Sequence, residues 1–107
     1  MISISCHCGN VKLAFDQLPS FVRDCDCPMC NRLGALWADF KFKDVSIAMN
    51  VPTETYRWDD GEYEMHHCTK CGCSTHYTAT ERSDEFEIGI NLRMLDRVQL
   101  EQIPIKG

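Results

Sequence analysis

Eight cysteines in a chain of 107 residues fall into three short runs: Cys6 and Cys8 in SCHCGNV, Cys25, Cys27 and Cys30 in CDCPMC, and Cys68, Cys71 and Cys73 in HCTKCGCSTHY. Thiols this dense in a short chain either bridge one another or share a metal ion. C-x-C spacing strains an internal disulfide, and CTKC lacks the strand–helix–strand surroundings in which a thioredoxin-like redox pair sits. Metal is therefore the expected chemistry. A C-x-x-C followed by glycine, as at Cys68, Cys71 and Gly72, has the spacing of a zinc knuckle. Two sulfurs close on one ion while the glycine takes a backbone conformation that other residues resist.

A structural zinc needs four ligands, so the pairs must combine across the chain. The simplest assignment joins Cys6 and Cys8 to Cys68 and Cys71, a four-thiolate set that accepts iron as well as zinc. The middle run offers three sulfurs, Cys25, Cys27 and Cys30. Zinc held by three protein ligands keeps a coordination position for water or substrate, the arrangement of catalytic sites. A fourth ligand from Cys73, His66, His67 or His76 would close it. Two positive charges against three thiolates leave the open site soft and electron-rich, suited to a further sulfur. A thiol entering there loses its proton and becomes a nucleophile held in place.

Composition narrows the remaining classes. With 44% hydrophobic residues the chain is expected to form one domain over residues 1–107, with a modest core that metal would staple. Sixteen acidic residues against eleven basic give a charge of −5, which disfavours nucleic acid and anionic lipid as partners. No segment approaches the roughly 20 apolar residues that span a bilayer. The opening MISISCHCGN has neither a basic start nor an apolar run of signal-peptide length, so a reducing, cytoplasmic location is expected.

The elements that position these cysteines read as short strands. Period-two alternation marks 11–15, 36–42, 45–49, 55–58, 75–80, 86–92 and 98–105, with turn signals at 18–20, 50–52, 59–61 and 82–84. In 36–42, Leu36, Ala38, Phe40 and Phe42 share one face. The best helical turn runs from Pro28 to about Leu33, ended by Gly34, because proline suits a first turn and glycine a stop. The expected fold is mainly β, short antiparallel strands stapled by zinc, with little helix.

Taken in order, SCHCGNV, CDCPMCNRLGALW and HHCTKCGCSTHY resemble the glutathione-dependent formaldehyde-activating enzyme family, whose domain is shared with centromere protein V. The resemblance covers Cys6 to about Leu95. It implies a "β-tent" fold with two zinc ions, one structural on Cys6, Cys8, Cys68 and Cys71 and one catalytic on Cys25, Cys27 and Cys30. It also implies a carbon–sulfur lyase-type activity that adds glutathione, or a similar small thiol, to formaldehyde or another small carbonyl, giving S-hydroxymethylglutathione in the parent reaction. Where the family commonly has two basic residues after the middle motif, this chain has Asn31 and Arg32.

Glutathione carries two carboxylates, so its pocket should offer cations. Arg32 is the first candidate to bind it, ahead of Arg23, Lys70 and Arg93. Trp37 and Phe40 are read as core residues before pocket walls, Cys73 as a buried apolar residue before a spare ligand, and the acidic residues 59, 60, 62 and 64 as solvated turn charge. The second functional reading is a non-catalytic zinc-stabilised binding module or thiol carrier.

Overall fold

The computed structural model describes residues 1–57, 61–80 and 87–107. In chain order the elements are β1 (Ile2–Ser5), β2 (Val11–Phe15), β3 (Val22–Arg23), α1 (Pro28–Leu33), β4 (Trp37–Lys41), β5 (Ser46–Met49), β6 (Glu54–Tyr56), β7 (Tyr63–His67), β8 (Ser74–Ala79), β9 (Glu87–Asn91), α2 (Arg97–Glu101) and β10 (Ile105–Lys106). Among the described residues no helix is long and apolar enough to cross a membrane. The fold is mainly β, as expected.

Two sheets carry the molecule. The smaller has the order β1-β2-β5, and the larger runs β10-β3-β4-β9-β8-β7-β6. Alternation decides which faces meet: Val11, Leu13 and Phe15 of β2 are buried while Lys12 between them is exposed. Leu13 and Phe15 from the small sheet join Ala38, Ile88 and Ile90 from the large one, with Leu36 and Leu92, in one apolar cluster. Because side chains alternate along β4, burying Ala38 in that cluster sends its neighbours Trp37 and Asp39 to the opposite face of the large sheet. That second face carries the three-cysteine run.

Three expectations need correction. Residues 98–105 form the helix α2 and the short strand β10, because the Asp96 carboxylate accepts the Val98 amide at 2.8 Å and starts a helix. β10 pairs with β3 in parallel, the one departure from antiparallel pairing among the described strands. Phe42 leaves the shared face of 36–42 and sits half exposed in a 3₁₀ turn, Phe42–Asp44. The turn signals at 59–60 and 82–84, and the strand ends assigned to Trp58 and Phe86, lie outside the described residues.

Gly89 pairs with both Asp39 on β4 and Tyr77 on β8. A Cβ there would overlap the Tyr77 ring, so the tyrosine occupies the space that glycine leaves. Gly89→Ala is expected to displace that ring and cost about 1–3 kcal/mol, read as a lowered urea midpoint. Because the clash is with one ring, Gly89→Ala combined with Tyr77→Ala should cost clearly less than the two single losses added together.

Candidate metal centres

The first cluster is built by two tight turns that face each other. After β1, the Gly9 amide donates to the Cys6 carbonyl at 3.1 Å and the Cys6 amide to the Val11 carbonyl at 3.0 Å. After β7, the Gly72 amide donates to the Cys68 carbonyl at 2.8 Å and the Cys68 amide to the Cys73 carbonyl at 2.9 Å. Gly9 and Gly72 hold φ of 81° and 78°, a region closed to most side chains. These turns bring the sulfurs of Cys6, Cys8, Cys68 and Cys71 within 4.8 Å of one another. Cys8 Sγ is 3.7 Å from Cys6 Sγ and 3.6 Å from Cys68 Sγ. A tetrahedral ion with metal–sulfur bonds of about 2.3 Å needs neighbouring sulfurs about 3.8 Å apart, so the four residues fit such an ion.

Backbone and side-chain donors point at two of these sulfurs. The Val11 amide donates to Cys6 Sγ at 3.3 Å, and the Lys70 amide and Asn10 Nδ2 donate to Cys68 Sγ at 3.4 and 3.5 Å. Amides of Cys73 and Cys8 draw the Cys71 thiol down to about 5. The Asn10 amide favours the Cys8 thiolate, yet burial and the sulfurs of Cys68, Cys6 and Cys71 push that thiol up to about 11. Four adjacent thiolates therefore need a cation among them. Asn10 also ties the site to the end of β5, its side-chain Oδ1 accepting the Asn50 and Val51 amides at 3.1 and 2.8 Å.

The second cluster sits at the start of α1. Cys27 caps the helix, its sulfur accepting the Cys30 amide at 3.2 Å, with Pro28 in the first turn and Gly34 ending it at φ 68°. One turn of helix thus returns Cys30 beside Cys27, and Cys25 joins from the extended segment before it. The three sulfurs lie within 4.8 Å of one another. Burial opposes ionisation of Cys27, but hydrogen bonds from Cys30, Cys25 and the Met29 amide together leave that thiol below its ordinary value. Burial, reinforced by the neighbouring Cys27, pushes Cys30 up to about 12.

Among the described residues the group of ligand atoms stops at these three. His66 engages Thr53 Oγ1 through Nδ1 and Thr78 Oγ1 through Nε2, both at 2.8 Å, and its ring stacks on His76 at 4.1 Å. Burial, with His66 adding to it, holds His76 down at about 3, so the imidazole is neutral at pH 7. His67 lies 3.7 Å from Glu54, and Cys73 packs with Cys6, Val11 and Cys68 at the other cluster.

Around the three sulfurs the large sheet presents an aromatic face. Trp37 is 1% exposed and its indole N–H donates to Cys30 Sγ at 3.4 Å. Tyr77 meets Trp37 edge-on at 5.0 Å and Tyr63 at 5.3 Å. The Tyr77 hydroxyl donates to Asp39 and accepts from Arg23 at 2.8 Å, while Arg23 grips Asp39 with two N–H groups at 2.7 and 2.9 Å. Arg23, a weaker guess for the ligand's cation, has its charge taken by Asp39. Arg32 donates to the Pro28 carbonyl at 2.9 Å and lines a 450 Å³ cavity with Met29, Met65 and His66. Arg93 lies apart from it and donates to the Gly34 carbonyl at 2.7 Å.

Reading the sequence missed Asp39 and Tyr77. Their pairing depends on strand register between β4, β9 and β8, and Gly89 inside a strand was the one local sign of it.

The family described as glutathione-dependent formaldehyde-activating enzyme matches residues 1–105. No curated protein matches the chain. A crystal structure of a Rhodobacter sphaeroides protein, 27% identical, superposes with a TM-score of 0.77 over 98% of this chain and 100% of that one.

The two clusters should separate on mutation. Native mass spectrometry is expected to find two metal ions per wild-type chain, and Cys27→Ser should hold one and keep its circular dichroism. Cys71→Ser, which opens the cluster linking both turns, should lose cooperative unfolding, and so should the wild type stripped by a strong chelator.

Proposed function

Since the chain belongs to the glutathione-dependent formaldehyde-activating enzyme family, we propose that it is a zinc-dependent carbon–sulfur lyase-type enzyme. It takes a small thiol, glutathione or a similar one, at Cys25, Cys27 and Cys30, and adds that thiol to a small carbonyl or releases it. The observation carrying this reading is the ligand group that stops at three sulfurs among the described residues. Cys6, Cys8, Cys68 and Cys71 are assigned the structural zinc.

A zinc ion held by three cysteines supplies a position where a thiol is bound as thiolate at neutral pH. The remaining work falls to the chain. Cys27 and Cys30 are preset by one helical turn, so little rearrangement is needed to gather the ligands. Arg32 stands on α1 and lines a 450 Å³ cavity whose walls include none of the three cysteines; a thiol compound extending from the sulfurs into that cavity would present a carboxylate to its guanidinium. Met29 and Met65 in the same wall give that compound's methylenes an adaptable apolar contact. Sulfur then attacks the carbonyl carbon, the carbon–oxygen double bond becomes a single bond, and solvent protonates the oxygen. In the reverse direction the carbon–sulfur bond breaks and the carbonyl reforms.

Titration calorimetry of the zinc-loaded protein with glutathione, followed by turnover with formaldehyde, tests the reading. Binding in the millimolar range or tighter is expected. Arg32→Gln should weaken it roughly tenfold, the scale of one lost charge-assisted hydrogen bond. Absence of binding at millimolar glutathione would remove glutathione as the thiol, and absence of turnover with every thiol and aldehyde pair would remove the enzyme assignment.

A further inference from the structure

We infer that Trp37 is a positioning residue for the three-sulfur metal site, whose indole N–H draws charge from the Cys30 thiolate so that a fourth, negatively charged sulfur can bind beside the first three. The inference rests on the reading of Cys25, Cys27 and Cys30 as metal ligands and assigns a role to a residue outside that set.

Buried indole N–H groups find an acceptor, and here the acceptor is Cys30 Sγ at 3.4 Å. Trp37 is fixed from several sides. Its backbone pairs with Arg23 on β3 and Asn91 on β9. Tyr77 packs edge-on against its ring, and that tyrosine is held by the Arg23–Asp39 ion pair through its hydroxyl and by the space over Gly89. The donor is therefore built into the sheet before any ligand arrives.

The electrostatic need for it follows from counting charges. Three thiolates already exceed the charge of a divalent ion, and a fourth adds like-charge repulsion at close range. Hydrogen bonds to charged sulfur offset part of that repulsion. The four-sulfur cluster shows the same provision, with Val11, Lys70 and Asn10 donating to its sulfurs. At the three-sulfur cluster the Cys30 amide serves Cys27 and the indole serves Cys30. Of these two donors only the indole is a side chain, so only it can be removed with the backbone left intact. Outer donors of this kind commonly change metal-site affinity or activity by 10–100-fold.

Two measurements on the metal-loaded protein decide the matter. In ¹⁵N-labelled wild type loaded with ¹¹³Cd, the Trp37 indole proton should show a scalar coupling to one of two cadmium resonances, transmitted through the N–H···S contact. Replacing Trp37 with β-(3-benzothienyl)alanine keeps the ring's shape and removes the N–H, whereas Trp37→Phe also changes packing. In the cobalt form both variants should move the sulfur-to-metal charge-transfer band to longer wavelength and bind glutathione and 2-mercaptoethanol roughly tenfold more weakly; only Trp37→Phe should lose thermal stability as well. A wild-type indole proton uncoupled from cadmium, or an isostere with unchanged band and thiol affinity, overturns the inference and leaves the thiol-binding site standing. A single cadmium resonance in the wild type overturns the site and this inference together.

Discussion

Like-charge repulsion among sulfurs is the constraint on which this structure turns. Cys6, Cys8, Cys68 and Cys71 place four ligand atoms within 4.8 Å of one another, and their thiols cannot all ionise there unless a cation stands among them. Once that cation is supplied, the repulsion becomes a clasp. It fastens the turn after β1 in the small sheet to the turn after β7 in the large one, and Asn10 carries the connection on to the residues following β5. The apolar cluster between the sheets centres on Leu13, Phe15, Leu36, Ile88, Ile90 and Leu92, and Ile4, Val22, Leu95 and Ile103 complete its buried part. A core of that size in a short chain gains much from a metal clasp.

The two clusters use one ligand type in two backbone settings. Opposed turns supply two sulfurs each, four ligand atoms that fit a tetrahedral ion. A capped helix start supplies Cys27 and Cys30, with Cys25 just upstream, and a single segment of that length reaches only one side of an ion. The face opposite belongs to the large sheet, which contributes rings and an ion pair: Trp37, Tyr77 and Tyr63, backed by Arg23 and Asp39. These groups surround the three sulfurs without adding a fourth ligand atom to the group among the described residues.

The sequence made the cysteine partition legible because ligand spacing is a local property. C-x-C and C-x-x-C pairs must be short for two sulfurs to meet one ion, and Pro28 and Gly34 bracket α1 by local rules. What escaped notice depends on the register of distant strands. Asp39 and Tyr77 meet because β4 and β8 both pair with β9 around Gly89. The alternation at 98–105 misled for a different reason: Leu100 and Ile103 reach the core from a helix and the turn after it, and spacing compatible with a strand also fits that path. Asp96 at the helix start was the competing signal. Parallel pairing of β10 with β3 was equally invisible, since two-residue strands leave almost no pattern.

The separation of the clasp's two halves also governs how the chain acquires its structure. Cys8 and Cys68 are 60 positions apart, so closing the tetrahedron means closing a long loop, an event of high contact order whose entropy is lost before the bonds are gained. During synthesis the first two ligands leave the ribosome well before the last two exist. Over that interval Cys6 and Cys8 are half of the four-sulfur set, whereas Cys25, Cys27 and Cys30 lie together in one short segment. β9, which pairs with both β4 and β8, lies beyond all four cysteines of the clasp in the chain, so the large sheet is completed only by residues made after the second half of the clasp.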